Sequence, residues 1–189
     1  MFLLRHGQSY FNLHFDETRK DPGIEDPELT PLGTWQAAEA AAQLAGTALS
    51  RIIVSPYLRA LQTAEPIIAM HQVPVNVMQI VRERTAFVCD VGSPPGLLAS
   101  RFPRHDFARL PQRWWHEGME TEEETVTRAD AFRAQMAARN DSARILLVSH
   151  WAFILALCGK SVGNGELLEY DPKQGPGTLL VPGLNVYTS

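Results

Sequence analysis

The sequence predicts an α/β protein with a mostly parallel central sheet covered by helices on both faces. Three observations carry that expectation. Short apolar runs without alternation, "FLL", "RIIVS" and "RILLVS", read as strands buried on both sides. Helical stretches with their own start and stop signals lie between them. Strands that alternate with helices favour crossover connections and therefore parallel pairing.

The elements follow in order. Residues 1–5 form the first strand. Residues 8–28 are polar, carry Pro22, Gly23 and Pro27, and read as a loop with at most a helical turn. Thr30 as N-cap and Pro31 at the first helical position start a helix that runs through "WQAAEAAAQLA" to Gly46. "RIIVS" (51–55) is the second strand, and Ser55-Pro56 repeats the cap-then-proline start. Pro66 is expected to kink or split the helix that follows. "VPVNVM" (73–78) is a third strand candidate. Residues 83–121 hold Pro94, Pro95, Pro103 and Pro111 with little periodicity, and read as an inserted cap of loops and short helices. Thr121 and Glu124 form a capping box for a helix with the face Val126, Ala129, Phe132 and Met136. "RILLVS" (144–149) is the clearest strand, and "WAFILALC" is a buried helix that stops at Gly159. "GELLEY" and "GTLLVPG" read as a terminal hairpin or two edge strands.

Bulk properties bound the function. The 189 residues suit a single domain. A net charge of −4 argues against a coat for nucleic acid or for an anionic membrane. No apolar run reaches the length of a membrane span, and Arg5 and His6 interrupt the N-terminal stretch too early for a signal peptide, so a cytoplasmic setting is expected. Cys89 and Cys158 stand far apart and read as reduced, buried thiols. The six histidines include no HxH or HxxxH pair, so no metal site is indicated.

Ligands of open α/β sheets bind at the carboxyl ends of the strands. After the first strand comes Arg5-His6-Gly7. After the second comes Ser55, with Arg59 one turn into the helix. Arg82-Glu83 follow the third, and His150 follows "ILLVS". Arginines beside helix N-termini bind phosphate through bidentate guanidinium contacts and free backbone N–H groups. A histidine held there is a nucleophile for phosphorus, because arginines favour its neutral form. A glutamate can protonate the leaving alkoxide and then activate water. A second histidine can bond the equatorial oxygens. Each piece alone has a plain alternative. Arg59 could be a solvated helix charge, Glu83 could pair with Arg82 or Arg84, and His150 could cap the helix after it. Their joint position at the strand ends favours the phosphate reading.

Arg5-His6-Gly7-Gln8-Ser9 with Asn12, "LTPLGTWQA" (29–37), "SPYLRALQTA" (55–64) and "VSHWAFI" (148–154) occur in order. They resemble the motifs of the histidine phosphatase superfamily, whose fold is that of phosphoglycerate mutase. The resemblance implies a three-layer α/β/α sandwich, no metal or organic cofactor, and a phosphorylated small-molecule substrate. It implies His6 as the phosphorylated nucleophile, Arg5 and Arg59 as phosphate ligands and His150 as the group that completes the pocket. Asn12 and Ser55 would support the phosphate or its shell. Glu83 stands at the usual place of the proton donor, with Asp90 next in line. Trp151 departs from the family, which usually has glycine there. It either alters the pocket or turns away to pack under the sheet. Trp114, Trp115, His116, Arg101, Arg104 and Arg113 either form a cap over the leaving group or simply pack the insertion down.

Within the family, a metal-independent phosphomonoester hydrolase is expected over a mutase. A mutase needs further cations and an ordered lid, and the cofactor-dependent mutases are longer and carry an adjacent-arginine lid pattern that is absent here. A catalytically weak binder of phosphorylated ligands is a further alternative. A dinucleotide-binding oxidoreductase fails, because no GxGxxG follows the first strand. The physiological substrate stays open, and so does a homodimer.

Overall fold

The computed structural model describes residues 1–174. Five strands form one sheet in the order β3-β2-β4-β1-β5: β1 (Phe2–Arg5), β2 (Arg51–Val54), β3 (Val75–Val77), β4 (Ile145–Ser149) and β5 (Leu167–Glu169). All neighbours run parallel except β5, which lies antiparallel on β1. "GELLEY" thus supplies an edge strand, whereas "GTLLVPG" lies outside the described residues.

The three inner strands β1, β2 and β4 are apolar through their middles because both sheet faces are covered there, and polar residues fall at their ends. Leu4, Ile52, Val54, Leu146 and Val148 point to one face. There they meet α2 (Pro31–Leu44) through Ala40 and Leu44, and α3 (Leu58–His71) through Leu61, Ala64 and Ile67. Leu3, Ile53, Ile145 and Leu147 point to the other face. There they meet Phe132 of α5 (Glu122–Ala137) and Phe153 and Leu157 of α6 (Trp151–Cys158). The result is the expected three-layer α/β/α sandwich.

Four local expectations change. Residues 10–18 form a nine-residue helix, α1 (Tyr10–Thr18), where a loop was expected. Ser9 and Asn12 close its N-terminus as a capping box, with the Asn12 side chain taking the place of the usual glutamate or glutamine. Helix α3 starts at Leu58, not after Ser55, and its first N–H donates to Asp26 Oδ1 over 2.9 Å. The cap therefore comes from a distant loop and not from the local serine. Of the two outcomes expected at Pro66, the split does not occur: α3 runs on through it, because Leu61, Ala64 and Ile67 hold the helix to the sheet while a single i→i−4 bond is forgone. On α5 the buried face is Thr125, Ala129, Phe132 and Met136, and Val126 is exposed.

The 84–121 segment contains a 3₁₀ turn at Val88–Asp90 and the short helix α4 (Pro95–Arg101). Its tryptophans pack it down. Trp114 is buried in the core, edge-on to Tyr57, and its indole N–H donates to the Ser93 carbonyl over 2.8 Å.

Candidate active site

Strand register builds the site. Arg5 pairs with Ser149 and Val54 with Val148, so the residues that leave β1, β4 and β2 emerge side by side. His6 and His150 thus become neighbours, with ring centroids 5.1 Å apart. Ser55 lies beside them. A cavity of about 390 Å³ opens at this sheet edge and is lined by Arg5, His6, Asn12, Arg59 and Glu83 among others.

Each side chain is fixed by its surroundings. The buried His6 ring lies 2.7 Å from the Gly7 carbonyl through Nδ1. A carbonyl only accepts, so Nδ1 carries the proton and Nε2 keeps its lone pair. Burial, then Arg59 and Arg5, push the His6 pKa well below the usual imidazole value. Gly7 is required one residue on, because a Cβ there would lie 2.3 Å from the Gly33 carbonyl oxygen. The end of β1 thereby touches the start of α2. The Gly7 N–H donates to Thr63 Oγ1 of α3 over 3.0 Å.

The buried Arg59 is held on three sides. It donates to the Cys89 carbonyl over 2.9 Å and to Asp90 Oδ1 over 3.1 Å, and it stacks 4.3 Å from the Tyr57 ring centroid. Arg5 donates through Nη1 to the Val162 carbonyl over 2.8 Å, and its buried Nε has no partner among the described residues. His150 is fully buried. Its Nε2 lies 2.7 Å from Ser55 Oγ, and its Nδ1 has no partner among the described residues.

Glu83 follows the 3₁₀ turn Gln79–Val81 and accepts from the backbone N–H groups of Arg84 (2.8 Å) and Ala152 (3.1 Å). The second tie sets the carboxyl at the N-terminus of α6. Burial and the nearby Asp90 still raise its pKa above the usual glutamate range, outweighing the two N–H donors.

The structure therefore brings Arg5, His6, Arg59, Glu83 and Asn12 to one cavity, with His150 against His6. Ser55 and His150 are both fully buried and neither is part of the cavity wall; the Ser55 hydroxyl meets His150 Nε2, which places Ser55 in the shell behind the histidines. Asn12 lines the cavity, but its Oδ1 is occupied by Ser9 and Asn164, which leaves only its amide N–H donors for a ligand. Trp151 does not pack under the sheet. It is half-exposed, lines the cavity and donates to Ser161 Oγ over 2.8 Å. The distal part of the insertion stays away from the cavity. Arg101 pairs with Glu28, Arg104 with Glu65 and Arg113 with Glu117, while Trp115 and His116 do not line the wall.

Sequence reasoning underrated Asp90. Its Oδ1 accepts from Arg59, and its Oδ2 accepts from the N–H groups of Ala86 and Phe87. It is thus a buried acceptor that organises the site. Nothing in "VCDVG" announces this, because its partner lies 31 residues earlier in the chain. The aromatic wall formed by Phe11, Phe15 and Phe87 was also unforeseen.

A buried histidine and two arginines thus share one cavity at the carboxyl edge of a mostly parallel sheet in an α/β sandwich. The chain belongs to the histidine phosphatase superfamily (branch 1), whose sequence model matches residues 1–174. It is 31% identical over 167 residues to the uncharacterized phosphatase PhoE of Bacillus subtilis (strain 168), covering 87% of this chain and 79% of that one. Family and relative together make it a phosphatase- or mutase-type enzyme. Among solved structures, a mycobacterial glucosyl-3-phosphoglycerate phosphatase in complex with VO3 superposes with a TM-score of 0.65 at 22% identity, over 96% of this chain and 97% of that chain. The Entamoeba histolytica phosphoserine phosphatase in complex with 3-phosphoglyceric acid gives 0.62 at 23% identity, over 95% and 94%. At these identities the superpositions establish the shared fold. No helix of the described residues is long and apolar enough to cross a membrane.

Proposed function

We propose that the protein hydrolyses phosphomonoesters through a phosphohistidine on His6, without a metal in the reacting set. The observation that carries this reading is the Nε2 of His6, without a hydrogen-bond partner among the described residues and opposite a Gly7-bonded Nδ1, in one cavity with Arg5, Arg59 and Glu83.

The chemistry runs in two balanced steps. Arg5 and Arg59 seat the phosphoryl oxygens, with the Asn12 amide at the cavity wall. The Nε2 lone pair of His6 attacks phosphorus while the ester P–O bond breaks. Glu83 passes its proton to the departing alkoxide. In the tautomer in which Ser55 donates to His150 Nε2, the proton sits on Nδ1, which has no partner among the described residues, and in this reading it donates to the phosphoryl group. In the second step the Glu83 carboxylate takes a proton from water, the water oxygen attacks phosphorus and the P–N bond breaks. Inorganic phosphate leaves, and His6 and Glu83 return to their starting states.

The test is phosphate release from a panel of phosphomonoesters in EDTA, for wild type and His6→Ala side by side. Turnover that persists under chelation and disappears in the variant is the expected result. Loss of wild-type turnover under EDTA would overturn the metal-free reading. Equal rates in the two proteins would overturn the phosphohistidine. Absence of turnover on every ester would favour a binding protein instead.

A further inference from the structure

Beyond the phosphate-binding end, the cavity wall is aromatic. Phe11 and Phe15 stand one turn apart on α1, with stacked rings 5.1 Å apart. Phe87, from the loop after Glu83, closes on each of them at 5.2 Å. Phe11 is buried at the base of the wall and Phe15 is half-buried, but none of the three belongs to either core cluster of the described residues. Phe87 is 40% exposed, and Trp151, which lines the same cavity, is 37% exposed. Large rings left at a concave surface, outside the core, mark a place that a ligand covers.

The wall is held in register with the phosphate pocket. Asp90 binds Arg59 with one oxygen and the backbone N–H of Phe87, over 3.1 Å, with the other. Asp21 Oδ2 accepts from the Val88 N–H over 2.8 Å, which ties the Phe87 loop to the segment after α1. The rings are therefore pre-organised, and a bound apolar group orders little on arrival.

Charge at the rim points the same way. Arg19 already faces Asp16 at 3.9 Å, and Arg84 already faces Glu122 at 3.1 Å. Each rim arginine thus has a carboxylate neighbour, which a second anionic group on the substrate would have to meet as well. We infer that this cavity selects monophosphate esters of flat, uncharged, apolar alcohols, with Phe11, Phe15, Phe87 and Trp151 as the leaving-group subsite. The inference rests on the phosphatase reading above and names its substrate class.

The experiment compares kcat/KM for 2-phenylethyl phosphate, glycerol 3-phosphate and 3-phosphoglycerate. All three release alkoxides, so differences report recognition rather than leaving-group acidity. The aromatic ester is expected to exceed each of the others by about tenfold or more. Phe87→Ala, at an exposed position that spares the core, is expected to reduce that preference about fivefold, and Phe87→Tyr to retain it. His6-dependent turnover that favours 3-phosphoglycerate, or a preference indifferent to Phe87→Ala, would overturn the subsite and leave the phosphatase reading intact. Lack of His6-dependent turnover on all three esters and on p-nitrophenyl phosphate would overturn both.

Discussion

His6 and Glu83 set the pH window of the proposed reaction. His6 must be neutral to attack, and burial with Arg59 and Arg5 holds its pKa well below the usual range. The acid limb of the rate profile therefore lies below ordinary imidazole titration. Glu83 must carry a proton in the first step, and burial with Asp90 raises its pKa. The alkaline limb therefore lies above ordinary glutamate titration, and kcat/KM is expected to peak between the two limbs. Glu83→Gln should lower kcat on an alkyl phosphate by about 10²-fold or more and remove the alkaline limb. With p-nitrophenyl phosphate, whose leaving group needs no proton, the same variant should release a burst of nitrophenol and then stall, because water activation has lost its base. A linear time course at the wild-type rate would place the acid elsewhere. Arg59→Ala should cost about 10²–10³ in rate. It should also cost about 3–5 kcal/mol in stability by urea unfolding, because Asp90 is left buried without its cation. Unchanged stability would mean that Asp90 is neutral or rehydrated in the variant.

The helices and turns carry the site on backbone contacts made at close range. Gly33 in the first turn of α2 meets the Gln8 carbonyl so closely that a Cβ there would lie 2.0 Å from its oxygen. Gly33→Ala must push α2 away from the residues that follow His6. It is expected to destabilise by about 1–3 kcal/mol in urea and to reduce turnover with it. Ser9→Ala removes the cap of α1 and one partner of Asn12, at a cost of about 1 kcal/mol. Retention of full stability in Ser9→Ala would mean that packing of Phe11 alone holds the helix. Helix α1 was hard to read because its polar stretch lacks the glutamate or glutamine of the common capping box. Helix α5 was legible, because Thr121 and Glu124 spell that box out. The start of α3 was misplaced for a different reason. Ser55-Pro56 has the right local chemistry, but Ser55 is drawn to His150, and Asp26 from a distant loop caps the helix.

At the scale of the whole molecule, the buried histidines couple folding to pH. The pKa values of His6 and His150 are both depressed, chiefly by burial and then by Arg59. Below about pH 6.5 the unfolded chain takes up protons that the folded protein refuses. Stability is therefore full above that pH and falls as pH drops, by up to about 1.4 kcal/mol per pH unit for each histidine. Urea unfolding at stepped pH should show this slope, and His6→Gln should reduce it by about half. A flat profile would mean that the histidines are charged in the folded state. Vanadate, an oxyanion analogue of phosphate, should raise Tm as it fills the pocket.

The sequence by itself determined the layer order and the chemical set. Strands with apolar middles and no alternation are buried on both faces, and His6, His150, Arg5 and Arg59 sit next to strand ends or helix starts that local signals mark, whereas Glu83 is set by the 3₁₀ turn after β3. Only the tertiary structure decided how those residues are used. Strand register made Ser55 the hydrogen-bond partner of His150. Long-range contact made Asp90 the anchor of Arg59 and of the Phe87 loop. Packing sent Trp114 into the core and left Phe15, Phe87 and Trp151 at the cavity mouth. The physical reason is common to all of these. Periodicity and capping act over a few residues and are written in local sequence. The partner of a buried polar group or an aromatic ring is set by which distant segments the sheet brings within hydrogen-bond or van der Waals reach.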